Sequence, residues 1–363
     1  MKMVCRIALL LLLVCAQAAL AAKPTSPIVL RRADVLRSHT EGDSQWQELI
    51  GNVWMTQDSF SVTCEEAFYY PDTGRVIFRR NVECKDPHRI LLAHEVIYNE
   101  WTGALEAFGD VRIYQDTVSA TCVRARYLEG RREAYLYQDV SLREENRHLL
   151  LTGQEGYMSE DEHYGRVTVN PVLTERDSVG AVRMEIHGDT IEYFGELKIA
   201  RARGHVEIQR GKLLAKGNRL DYLREMQEAE LFGNPQANHE GDEITGDTIR
   251  LHFDNEELKQ VFVVGHAVAT SLGDSLHSER RHRMEGKRMT LWVEKEELKE
   301  VLVEGTARAT YYILEKGERR GMNETSGDRL RVFVENSQVA RIQVVGGTEG
   351  RYTPERLVGK QDK

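Results

Sequence analysis

Cysteine is scarce in this 363-residue chain, and so are long apolar runs beyond its first residues. Only Cys64, Cys84 and Cys122 follow residue 21, and no two stand in a CxxC spacing. That excludes a disulfide scaffold and gives no hint of a zinc site or of thiol-disulfide exchange. After residue 22 no window comes near the ~18 consecutive apolar residues that a membrane helix needs. Basic residues are also in the minority, 49 Lys and Arg against 58 Asp and Glu, for a net charge of -9. A nucleic-acid partner, normally announced by a basic stripe, therefore has no support. The GxSxG, HExxH and GxxxxGK[ST] motifs are all missing, and the 12 histidines show no metal spacing. The expectation is a protein that is not an enzyme and carries no cofactor. Helical periodicity is weak, and its best stretch, Leu223 to Leu231, reads equally well as part of a strand, turn, strand unit.

What is present begins with a leader. Lys2 and Arg6 precede an apolar run from Ile7 to Val14, and small residues follow up to Ala22. This is the pattern of a secretory signal peptide over residues 1–21, with Ala19-Leu20-Ala21 as the cleavage site. Val14 before Cys15 argues against lipoprotein processing, because a small residue is wanted there. Residues 22–32 read as a linker.

The rest of the chain is repetitive. A six-residue pattern reads small, polar, variable, apolar, variable, aromatic or aliphatic, and starts at Cys64, Ala93, Cys122, Thr152, Gly188, Gly217, Gly246, Gly286 and Gly327. A second mark, Gly or Asn followed by Val, Ala or Pro, falls once per period, as in Gly51-Asn52-Val53, Gly109-Asp110-Val111 and Gly265-His266-Ala267. Two marks keeping step over most of the chain define a register that loop composition would not hold. Within each copy the fourth and sixth residues are mostly apolar and the third and fifth mostly polar, so each copy is a strand with one dry and one wet face. The copy at Thr152, with Glu155 in fourth place, departs from this. Turns such as Pro71-Asp72-Thr73-Gly74 fold the chain back about every ten residues.

One repeat cannot bury its own apolar face, so neighbours must stack into a continuous interior. The expectation is an all-β, elongated and repetitive fold of nine to ten repeats over residues 33–347, with a candidate junction between two segments near 160–185 and a polar tail over 348–363. Insertions around His277 to Arg283 and Glu315 to Arg320 lengthen the late repeats. Strict stacking holds Cys64 and Cys122 about 9.6 Å apart, two strand spacings, beyond disulfide reach. Cys64 with Cys84 is the candidate pair, and three buried thiols are the alternative.

Ala93 to Tyr98, then Thr102 to Phe108, then Gly109-Asp110-Val111 reproduce in order the recurrent phrase of the organic-solvent-tolerance-like (OstA-like) family, which the chain resembles from Ala33 to Gly346. The family includes the periplasmic bridge protein of lipopolysaccharide transport, and the resemblance implies an LptA-like role. It also implies an open β-jelly-roll folded like a taco, periplasmic localisation with possible outer-membrane association, and a groove for lipid A acyl chains. Partners would be lipopolysaccharide, transport components at the inner and outer membranes, and further copies joined head to tail through edge strands. Candidate lipid contacts are Val96, Tyr98, Tyr127, Tyr157, Ile191, Tyr193, Leu220, Tyr222, Ile249, Leu251, Met289 and Leu330, with the plain alternative that they only pack as core. Arg280, Arg281, Arg283 and Arg288 are candidate phosphate contacts, since arginine matches phosphate with two parallel hydrogen bonds. Competing readings are a β-solenoid that binds or cleaves polysaccharide, with a filled interior and an aromatic, acidic surface groove, and a structural envelope repeat.

Overall fold

A computed structural model of the protein describes residues 27–358, apart from 43, 116, 145–147, 224, 240, 255–256, 273–279, 295–296, 316–317 and 336–337. The expected signal peptide and His277 lie outside the described residues. These contain 26 strands and no α-helix, as the alternation of apolar and polar residues demands. Successive strands pair antiparallel through hairpins, for example Ser44–Gln57 with Phe60–Tyr70 and Glu297–Glu315 with Glu318–Glu335. The repetitive β-jelly-roll forms. A β-solenoid, whose coils stack in parallel, does not.

The second sequence mark explains the bending of the strands. Ten sites place two successive residues at positive φ: 51–52, 80–81, 109–110, 138–139, 169–170, 204–205, 233–234, 265–266, 305–306 and 346–347. At such sites the ladder slips, as between Ile50 and Val53 or between Val264 and Ala267, and a bulge of this kind turns the strand. At several of these corners the polar residue that opens a neighbouring copy seals the bend. The Asp34 N–H donates to the Gly51 carbonyl at 2.9 Å, and the Asn52 side-chain amide donates to the Asp34 carboxylate at 2.8 Å. Asn81 reaches Glu65 in the same way at 2.5 Å, and the Asp247 N–H donates to the Gly265 carbonyl at 2.9 Å. The two marks are thus two halves of one corner.

Val169 holds a corner position with φ +61 although it is β-branched and exposed. An L side chain there costs roughly 1–2 kcal/mol, partly offset by the backbone entropy that glycine would lose, about 0.5–1 kcal/mol. Val169→Gly is therefore expected to stabilise the protein by about 0.5–1 kcal/mol, read as a rise of a few degrees in melting temperature. No rise, or a fall, would show that this corner is not strained.

The described residues divide into two compact units, 27–200 and 201–358. In the first, Leu49, Val53, Ala67, Val82, Val96 and Val111 are buried on both sides of their corners. No helix is there to cover them, so the halves of the bent sheet cover each other. In the second unit Val206, Leu231, Ile249, Val263, Met289 and Leu330 are buried by the same arrangement. The segment read as a linker contributes the strand Val29–Arg32, paired with Ser44–Gln57. The segment read as a polar tail contributes Glu349–Pro354, paired with Glu318–Glu335, where Thr353 is buried.

Two sequence expectations are corrected. Cys64 and Cys84 are free, buried thiols, as is Cys122. Thr63 opposes Glu83 and Val62 opposes Cys84, so Cys64 and Cys84 are diagonal neighbours, and the diagonal Cα separation of about 7–8 Å exceeds what a disulfide spans. Burial also pushes their thiols up to about 11 and about 12, so little thiolate is present to react. The second correction concerns the copy at Thr152. Its small residue is Gly153, which is buried, and its fourth residue is Gly156, which opposes Leu136. A one-residue slip flips every side chain, so Tyr157 points to the outer face, away from the interior assigned to it.

Candidate functional site

Once the fourth copy starts at Gly153, the fourth residues of the nine copies are Ala67, Val96, Ala125, Gly156, Ile191, Leu220, Ile249, Met289 and Leu330. All nine are apolar and buried, and the six with large side chains are 0 to 5 % exposed. They line the interior of their units because period-2 alternation and the corner bulges keep one parity facing inward. Tyr193 is buried with them. Tyr98, Tyr127, Tyr222 and Leu251 share the inward parity but are half-buried.

The two rims of the first unit are polar. The Tyr69 hydroxyl donates to Glu100 at 3.0 Å, and the Tyr127 hydroxyl donates to Glu160 at 3.4 Å. Burial, followed by the charge of Glu160, pushes the Tyr127 phenol up to about 12. The Glu160 carboxylate is 5 % exposed and is held by Arg132 at 2.9 Å. From the opposite set of hairpin ends Arg89 comes within 4.0 Å of it. Gln115, Glu144 and Glu175, on strand ends of that opposite rim, are buried as well. The interior is therefore apolar along its walls and closed by charged and hydrogen-bonded lips.

The solvent face carries a different pattern. Cross-strand ion pairs such as Arg79–Glu95, Arg250–Glu230, Arg329–Glu304 and Arg331–Glu300 recur along it. One member departs from the expected exposure: Asp221 is buried, clasped by Arg201 at 2.6 and 2.7 Å. The four arginines expected at phosphates do not converge. Arg280 pairs with Glu355, Arg281 donates to the Gly241 carbonyl and to Thr270, Arg283 pairs with Glu285, and Arg288 is exposed opposite Glu304. Among the described residues no group of His, Cys, Asp and Glu is placed to hold a metal ion.

Sequence reasoning missed one feature. Tyr137, Tyr135, Tyr157, Tyr164 and Phe194 form a row of ring contacts on the outer face of the first unit, with centroids 6.5, 5.1, 6.1 and 5.2 Å apart. The signal was present in Ala134-Tyr135-Leu136-Tyr137, where the small and aliphatic residues claim the inward parity and leave the tyrosines outside. A shallow depression of about 650 Å³ adjoins the row, lined by Thr102, Arg126, Leu128, Gly130, Arg131, Tyr135 and Tyr137.

No protein-family model matches the chain, and no curated protein matches it. Among solved structures it is similar to the crystal structure of LptH, the LptA homologous periplasmic component of the conserved lipopolysaccharide transport device from Pseudomonas aeruginosa, at 12 % identity and a TM-score of 0.31, covering 39 % of this chain and 95 % of that one.

Proposed function

We propose that the protein is a periplasmic, non-enzymatic carrier that holds the acyl chains of lipopolysaccharide, or of a lipid like it, between the walls of its repeats. It passes that lipid between components at the inner and outer membranes. The observation behind this reading is the unbroken inner row: nine copies, nine apolar buried residues at the fourth position. In the structure the walls pack on each other, so a lipid must part them at the lips. The apolar cost of parting is small, because each acyl methylene that replaces a wall contact contributes ~0.8 kcal/mol of burial. Arg280 and Arg283 would meet lipid phosphates only by giving up Glu355 and Glu285, so the reading rests on acyl chains rather than on headgroup contacts.

Self-association end to end belongs to the same reading. Val35–Glu41 pairs with Ser44–Gln57 and Gln338–Val345 with Glu318–Glu335, each on one side. Leu36 is 51 % exposed and Val339 57 % exposed on these strands. Open backbone with apolar side chains is what an added strand needs.

The test is photo-crosslinking of the full chain with purified lipopolysaccharide, using a benzophenone amino acid at Ile191, Leu220 or Ile249 and at the outward controls Lys216 and Arg250. Adducts at the inner three alone are expected. Equal labelling of both sets, or none at the inner three, would remove the carrier reading and leave a structural repeat protein.

A further inference from the structure

The aromatic row on the outer face is unlike the rest of that face. Where other strands place Arg–Glu pairs, Glu133–Glu144, Leu149–Ser159, Tyr164–Thr168 and Thr190–Phe194 present rings on consecutive strands. The register aligns them: Tyr157 opposes Tyr135, Ser159 opposes Tyr164, and Tyr164 opposes Phe194. Three strand spacings of ~4.8 Å make this row about 14 Å long. All five residues are half-buried, so each keeps part of its surface in water.

We propose that this row and its adjoining depression bind a neutral polysaccharide chain, lying across the strands with sugar C–H faces on the tyrosine rings. Three observations favour that occupant. The polar groups around the rings are balanced in charge: the Tyr135 and Tyr157 hydroxyls donate to Glu133 at 2.8 and 3.3 Å, and the Tyr164 hydroxyl donates to Glu192 at 2.7 Å. Arg124 lies 5.4 Å over Tyr137, and Arg166 lies 5.3 Å over Tyr157. Carboxylates and guanidiniums are mixed along the row, Arg124 itself being paired with Glu106 at 3.0 Å, which suits a neutral ligand with hydroxyls better than a highly charged one. The shallow depression lies at one end of the row, with a volume in the range of small-ligand clefts, and offers Arg131 as a donor and the Thr102 hydroxyl beside Arg126, which is paired with Glu106 at 3.5 Å. Finally, a lone apolar stripe would suit a protein partner, but here Tyr135, Tyr157 and Tyr164 each set a part-exposed ring beside a hydrogen-bonded hydroxyl, and a sugar ring likewise sets a C–H face beside hydroxyls. This site is independent of whether the interior takes lipid.

The experiment is affinity electrophoresis of the full chain through gels containing dextran, a β-glucan, or a neutral polysaccharide freed of acyl chains, acidic core sugars and phosphate from lipopolysaccharide, followed by calorimetry with oligosaccharides of whichever retards it. Retardation of the wild type is expected by at least one of these. A weakening of about five- to 150-fold is expected in Tyr135→Ala/Tyr157→Ala, which removes two ring faces from the row. Tyr157→Phe, which keeps the ring, is expected to bind within a few-fold of wild type, and the single Tyr157→Ala, expected to bind several-fold more weakly than Tyr157→Phe, serves where the double variant folds poorly. Phe68→Ala, on the outer face away from the row, should leave binding unchanged. Three outcomes would overturn the proposal: no retardation by any of the three polysaccharides, retardation unaffected in a folded double variant, or a wild-type dimer that the double variant abolishes, which would make the row a contact between copies.

Discussion

Ile249→Asp is expected to unfold the second unit or to lower its stability by about 2.5–6 kcal/mol. Ile249 opposes Leu231 on one neighbouring strand and Val263 on the other, and all three are buried. The change loses the burial of an isoleucine, roughly 1.5–3 kcal/mol. It also places a carboxyl among aliphatic groups that offer it no hydrogen bond, a further cost of about 1–3 kcal/mol even if the acid takes up a proton. A domain holds only about 5–15 kcal/mol in reserve. Urea titration followed by circular dichroism measures the loss, with Arg250→Ser as the neighbouring outward control. Arg250 makes surface ion pairs, and its removal should cost no more than about 1 kcal/mol. If Ile249→Asp stays folded within about 1 kcal/mol of wild type, water already reaches the inner row, and the walls stand apart in solution.

The second large effect is expected at a residue that touches no core. Gly265→Val should destabilise the same unit by about 3 kcal/mol, although position 265 is on the surface, where most substitutions fall within about 0.5 kcal/mol of neutral. Gly265 has φ +73, and a Cβ there would run into the Asp247 carboxylate. An L residue in this region costs roughly 1–2 kcal/mol. Displacing Asp247 also weakens its N–H bonds to the carbonyls of Val264 and Gly265, at 3.1 and 2.9 Å, each worth about 1 kcal/mol. Gly350 has no positive φ and no neighbour within 4 Å of an added Cβ, so Gly350→Ala should change little. Equal urea midpoints for Gly265→Val and wild type would mean that the corners do not define the fold.

Both predictions depend on one alternation, and most of that alternation was legible before any coordinates. Val96, Ile191, Leu220, Ile249, Met289 and Leu330 stand at the fourth place of their copies in the sequence, and each is buried. Local pattern sufficed because in a strand the side-chain period is two, so the identity of a single inward residue settles its neighbours. The Gly-Asn-Val marks were legible as recurring features but not as corners. Only the structure shows two successive left-handed residues at each, sealed by Asp34, Glu65 or Asp247 from the adjoining strand.

Where the reading slipped, the cause is also physical. Tyr157 was placed inside because the frame at Thr152 was set by a tyrosine at its end, whereas the strand pairing follows the small residue, Gly153, which must lie close under the carbonyl of Thr168. The cysteine pair failed because spacing along the chain does not reveal a diagonal offset across a ladder. The basic run from Arg280 to Arg288 failed to gather because Glu355, Gly241, Thr270 and Glu285, three of them distant in sequence, reach its arginines first.

The sequence by itself determined that the chain is all β, how often it repeats, where it turns and which parity of side chains is dry, since all of these but the repeat are properties of residues within a dozen positions of one another and the repeat is read by comparing such stretches. The tertiary structure decided whether the dry faces close on each other, which charges meet across strands, and that five aromatic residues from four strands line up on the wet side. Those outcomes depend on register between segments far apart in the chain, and register is settled by bulges and pairing geometry rather than by local composition.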